Sequence, residues 1–283
     1  MKDQTLTHRF VQHRGVGKAA ATVALYRLVA NEFLEAANGG LPEGPFAPQY
    51  IATYLKRICS VNAGSSVATK MTVLGVFIRW AAQQGLCDAS LAEVCVAPRY
   101  PHPVPRTATP DEVSLLVRTA PLKLKTALLL ASGLGLRESE IRGLTWRAID
   151  LTPGVEQATV IGKGNKLRVL PIVDGALLDH LREMSGSPRK SEYLVPGECG
   201  AMISRGVLGK RLTAHCEALG IRRLNMHSLR HFFASHSALS GVPTPTIQGM
   251  MGHSSLAVTS VYLTSLSSVE NLRVGMQRMA AAG

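Results

Sequence analysis

Prolines at positions 98, 101, 103 and 105, in the run APRYPHPVPRTATP (97–110), constrain this 283-residue chain more than any other feature. Each removes a backbone donor and fixes φ, so neither a helix nor a central strand can run through them. The stretch reads as a semi-extended linker over residues 98–108, dividing the chain into domains at 1–97 and 109–283. The second domain opens on Thr109-Pro110-Asp111-Glu112. Thr109 can cap a helix, Pro110 suits its first position, and Glu112 completes a capping box. An apolar share of 46% gives both pieces material for a core.

Residues 19–37, 48–58 and 67–84 carry apolar side chains at helical intervals, among them Val23, Phe33, Met71, Leu74, Phe77 and Ile78. The first domain is therefore expected to be helical. In the second, helical patterns at 111–119, 122–132 and 138–144 lead into two β-like runs at 157–161 and 167–172. Between the runs lies Gly162-Lys163-Gly164-Asn165-Lys166, a hairpin signal because glycine accepts the positive φ of a tight turn. Beyond Leu177 the pattern reads as helical to the end. The expected fold class is mainly α, a helical domain followed by a mainly α domain with a small antiparallel β-sheet.

Lys and Arg number 31 against 19 acids, a net charge of +12. Such an excess suits a polyanion, since Lys and Arg gain affinity by displacing counterions from a phosphate backbone. An anionic membrane surface would attract it too, but no apolar run reaches the roughly 18 residues needed to span a bilayer. The opening MKDQTLTHRFVQHRG lacks the apolar core of a secretory signal. The cysteines (Cys59, Cys87, Cys95, Cys199, Cys216) are odd in number and show no CxxC spacing. They indicate neither a zinc site nor a disulfide framework, and read as small buried residues in a reducing compartment, the cytoplasm by default.

Several polar residues stand out along the second domain, each with an ordinary account of its own. Arg137 follows a Gly-rich break in ASGLGLRESEIRGLTWRAID and lies three residues before Glu140, which suits a surface ion pair. Lys163 sits where a strand meets the hairpin turn, with Lys166 and Arg168 nearby as candidates for phosphate contact; basic residues also decorate solvated hairpin tips. His227 and Arg230, in HSLRH, share one helical face. His253, in MMGH, precedes Tyr262 by nine residues, and a tyrosine on a helix is usually a core or rim residue.

Taken in order, Arg137, Lys163, His227, Arg230, His253 and Tyr262 resemble the catalytic set of the tyrosine recombinase (phage integrase) family. The phrases GLRESEIRGL, GKGNKLRVLP, HSLRHFFASH and MGHSSLAVTSVY are similar to the family's boxes, and the resemblance covers residues 109–278. Met251 stands where the family usually has leucine, a volume-conserving swap, and Phe232-Phe233 replaces a more usual polar-aromatic pair. The resemblance implies that Tyr262 is the nucleophile, that Lys163 protonates the leaving 5′ oxygen, and that His253 donates to the scissile phosphate. Chemistry gives the clamping of its oxygens to Arg137 and Arg230, which bind bidentately and cannot lose their protons. His227 is then the base for the Tyr262 proton, with Glu140 orienting Arg137. No metal and no nucleotide or other cofactor is required.

The resemblance also implies a C-shaped clamp on double-stranded DNA and a homotetramer on two DNA sites, which would place the chain on the nucleoid. An accessory directionality factor is left open. Val269, Leu272, Met276 and Met279 lie at helical spacing, as an exchanged C-terminal helix would need. Only a short basic stretch precedes the first helical pattern, so the extra N-terminal module of larger phage integrases is not expected. Rival readings are a type IB topoisomerase-like enzyme acting alone, a DNA-binding regulator without catalysis, and a basic structural protein. Strand exchange between two duplexes separates the first, and a covalent adduct the second; the third leaves the ordered motifs unexplained.

Overall fold

The computed structural model describes residues 2–37, 46–96, 107–162, 166–188 and 191–252. The chain divides into two compact units, Met1–His102 and Pro103–Gly283.

The first unit comprises α1 (Lys2–Arg14), α2 (Ala20–Ala37), α3 (Pro48–Val61) and α4 (Gly64–Gln83), with a short 3₁₀ turn at Ala89–Ala92. Its apolar spacing explains α4: Val67, Met71, Leu74, Ile78 and Ala81 form one buried stripe. Helices α1, α2 and α3 all pack on it. Aromatic rings fill the space between, with Phe10 edge-on to Phe77 at 4.8 Å and Phe77 stacked on Trp80 at 5.9 Å. A polar tie links three helices: Lys70 Nζ lies 2.9 Å from Glu32 Oε2, and the buried Tyr54 hydroxyl donates to the same oxygen at 3.0 Å. Helix α1 departs from the sequence expectation, which saw no helix before residue 19. Leu6, Phe10 and Val11 are its apolar footing in an otherwise polar run, too few to show a period.

The second unit begins at α5 (Pro110–Thr119), with the expected box formed: Glu112 N–H donates to Thr109 Oγ1 and Thr109 N–H to Glu112 Oε2. Helix α6 (Leu122–Gly133) is buried from Thr126 to Ala131 on every face. A helix apolar all round must be central, and α6 packs against α5, α7 (Glu138–Gly143), α8 (Gly175–Ser185), α9 (Val207–Ala218) and α10 (Met226–Leu239). The sheet is antiparallel, ordered β1 (Ile149–Asp150), β2 (Gln157–Ile161), β3 (Leu167–Pro171). Val160 pairs with Arg168 and Ala158 with Leu170, so these four share the inner face. A last described helix, α11 (Thr244–Met251), packs on α10 and β3.

Two expectations need correction. The chain beyond Leu177 is not helical throughout: among the described residues, 191–206 forms a 3₁₀ turn and isolated bridges, Thr145 with Tyr193 and Pro196 with Met202. Pro188 and Pro196, with Gly197 and Gly200, break any helical run there. The cysteines are not uniformly buried either: Cys95 and Cys216 are, whereas Cys59 and Cys199 are exposed.

Candidate active site

The break between α6 and α7 depends on glycine. Gly135 has φ +63°, and a Cβ there would lie 2.4 Å from Cδ1 of Phe233. Its carbonyl accepts from Nη1 of Arg230, reaching across from α10. Two residues on, Arg137 caps α7, and its backbone N–H donates to Glu140 Oε2 at 2.8 Å. Its Nη1 donates to Oε1 at 2.9 Å.

The Arg137–Glu140 spacing suited a surface pair, but Glu140 retains only 3% side-chain exposure. Arg168, on β3, forks onto the same carboxylate, Nη1 to Oε1 at 3.0 Å and Nη2 to Oε2 at 2.8 Å. These donors match the four lone-pair positions a carboxylate offers. Arg230 Nη1 stands 3.8 Å from Oε2, completing a ring of three arginines. Burial would raise the Glu140 pKa, but the hydrogen bonds from Arg168 and Arg137 outweigh it and hold the carboxyl below its ordinary range.

The same arginines grip the end of α11. The last carbonyls of a helix lack partners within it and carry its partial negative charge. Met250 O accepts from Arg168 Nε at 2.8 Å, Met251 O from Arg230 Nη2, and Gly252 O from Arg137 Nη2 at 3.0 Å. Gly252 takes the left-handed C-cap conformation, φ +62°. Side-chain exposure grades the three, 30% for Arg137, 12% for Arg168 and 1% for Arg230.

His227 lies on α10 one turn before Arg230, its ring edge-on to that of His231 at 4.4 Å. Partial burial of the ring, then the charges of Arg230 and Arg137, lower its pKa. These effects favour the neutral imidazole, the form able to accept a proton.

The structure thus gathers Arg137, Glu140, His227 and Arg230 as the sequence grouped them. Lys163, His253 and Tyr262 lie outside the described residues. Lys166 is exposed, and its carbonyl closes the hairpin by accepting from Gly162 N–H at 2.8 Å. Arg168, expected as a phosphate contact, instead points inward. The signal was strand alternation, because Arg168 falls on the face of Leu170. Among the described residues, no group of three or more His, Cys, Asp or Glu could hold a metal ion, and no helix is long and apolar enough to cross a membrane.

Guanidiniums that keep their protons, beside an imidazole whose neutral form is favoured, make an arrangement able to stabilise negative charge and to accept a proton. The chain belongs to the phage integrase family of tyrosine recombinases, whose sequence model matches residues 106–268. Site-specific breakage and rejoining of DNA is the activity of that class. Tyrosine recombinase XerC of Xanthomonas axonopodis pv. citri (strain 306) is 32% identical over 222 residues, covering 76% of this chain and 71% of the relative. XerC of Xanthomonas campestris pv. campestris (strain B100) is 32% identical over 70% of this chain, which spans 63% of that relative. XerD of Pseudomonas aeruginosa is 31% identical over 70% of each. Among solved structures, a lambda integrase dimer bound to a COC′ core site matches with TM-score 0.73 at 20% identity, over 92% of this chain and 76% of that one. XerH bound to its difH substrate in a pre-cleavage complex matches with TM-score 0.66 at 17% identity, over 86% and 75%.

Proposed function

We propose that this chain cuts double-stranded DNA with Tyr262, holds the 3′ end as a phosphotyrosine, and passes it to the 5′ hydroxyl of another strand. The observation that carries this reading is the convergence of Arg137 and Arg230 on Glu140, with His227, whose neutral form is favoured, beside them. The Tyr262 oxygen attacks phosphorus while its proton passes to His227, because a hydroxyl of pKa about 10 needs a base at neutral pH. The bond from phosphorus to the 5′ oxygen breaks, and Lys163 supplies the proton which that oxygen needs to leave. Arg137, the most exposed of the three arginines, meets the non-bridging oxygens first. Arg230 donates here to the carbonyls of Gly135 and Met251, two contacts that fix the plane of its guanidinium. Rejoining reverses these steps on the new strand. One phosphodiester is exchanged for another through the tyrosine ester, so no nucleotide is consumed.

Exchange between two duplexes needs four protomers, so the working assembly is a homotetramer on two DNA sites, with the segment beyond Tyr262 passed between neighbours. Bound to DNA, the protein would reside on the nucleoid, and exchange by the purified protein alone would decide the question of an accessory directionality factor. The relatives named for recombination, and those solved on DNA, support the DNA partner. The test uses nicked suicide duplexes selected from a random pool by the wild-type protein. Wild-type protein should trap a covalent adduct, in excess EDTA as in its absence, since arginines take the charge role of a divalent ion. Tyr262→Phe should bind the duplex and trap none. An adduct in that variant would remove Tyr262 from the role, and loss of adduct with EDTA while binding persists would sink the metal-free mechanism.

A further inference from the structure

We propose that Arg168 is a positioning residue for strand cleavage, holding the hairpin that carries Lys163 against Glu140 and the end of α11, rather than contacting DNA. The inference rests on the function proposed above. Its basis is what surrounds the guanidinium. All three nitrogens are engaged within the protein, two on Glu140 and one on the Met250 carbonyl. Two glycines close on it as well: a Cβ built on Gly162 would lie 3.0 Å from Arg168 Nη1, and one on Gly252 3.3 Å from the same atom. Gly162 immediately precedes Lys163, and Gly252 immediately precedes His253.

One side chain therefore joins three backbone segments that are distant in sequence: the mouth of the hairpin, the end of α11, and the turn of α7 whose carboxylate also orients Arg137. Lysine cannot replace it. An ammonium is a single point charge with no planar fork, so it cannot pair both carboxylate oxygens and also reach a carbonyl from a separate nitrogen. Loss of the tie would let the mouth of the hairpin at Gly162 shift relative to Arg137, and misplacement of about 1 Å can cost about 10²-fold in rate.

The experiment compares Arg168→Lys and Arg168→Gln, in the full chain, on two suicide duplexes: ordinary DNA, and DNA with sulfur in place of the bridging 5′ oxygen. A thiolate leaves without a proton, so a defect that acts through Lys163 shrinks on the sulfur substrate. Both variants should form adduct about 10²-fold more slowly on ordinary DNA, and should recover much of that on sulfur, as Lys163→Ala should. Lys163→Ala combined with Arg168→Lys should be no slower than Lys163→Ala alone, because residues acting as a unit are not additive. The salt dependence of DNA binding should be unchanged. A slope lowered by about one would mark a lost phosphate contact and overturn the proposal. Equal slowing on both substrates would overturn it too, as would failure of both variants to fold. Amide hydrogen exchange at Gly162 and Gly252 should quicken in Arg168→Lys while that of α5 holds; unchanged exchange counts against the tie whatever the chemistry. Absence of any adduct in the wild type would instead refute the proposed function, leaving the exchange result to decide whether Arg168 holds these segments.

Discussion

Burial and then the fixed charges of two arginines in the same site favour the neutral form of His227, so its titration depends on their presence. Its pKa lies below 6.5 because its ring is partly buried and because Arg230 and Arg137 disfavour a further positive charge. If His227 takes the Tyr262 proton, the rate of adduct formation should hold through neutral pH and fall only as pH drops through that lowered value. The limb should follow the arginines. In Arg137→Gln, the His227 ring, observed by NMR in the DNA-free protein, should titrate at higher pH than in the wild type, since one opposing charge is gone. A titration that does not move would mean that Arg137 exerts no field on the ring. Much of this residue-level picture was legible in the sequence: the spacing of Arg137 and Glu140 and that of His227 and Arg230 place each pair on one turn. Arg168 was not, because its partners lie on α7 and α11, which no local spacing connects to β3.

Helix α11 ends in carbonyls gripped by arginines from α7's cap, β3 and α10, so its orientation is set by hydrogen bonds as much as by packing. Gly252 permits this. It takes φ +62°, and a side chain there would crowd the Arg168 guanidinium. Gly252→Ala should destabilise the second unit by about 1–2 kcal/mol, the usual cost of a left-handed non-glycine residue, read as a lower midpoint in urea. An unchanged midpoint would show that this helix end contributes little to stability. Elements with a strong period were legible: α2, α3, α4 and the hairpin strands lie close to where apolar spacing puts them. Those without one were not. Helix α1 has too few apolar side chains, β1 is only two residues long, and 191–206 follows its prolines and glycines.

At the scale of the whole molecule, the two large cores among the described residues share no residue, and a small third cluster of Phe233, Ala234, Ile247 and Met251 lies where α10 meets α11. One is built on α4 around Phe77 and Trp80, the other on α6 around Leu128 and Leu130. Truncating Phe77 to alanine should cost about 3–5 kcal/mol, the usual price of a large ring lost from a core. The loss should fall on the first unit, so calorimetry should show its transition lowered and that of the second unit unmoved. Both transitions shifting together would mean the units unfold as one. The linker expected at 98–108 was the plainest reading in the sequence, and most of it lies outside the described residues. The same division has a practical side. The chain's two tryptophans fall one to each unit: Trp80, 1% exposed among the rings of the first, and Trp146, half-buried against the core of the second. Each unit thus carries its own intrinsic fluorophore, one shielded from a dissolved quencher and one within its reach. Trp146→Phe would leave emission from the helical unit alone, and the arrival of DNA or denaturant at either unit could be followed by light without attaching a label.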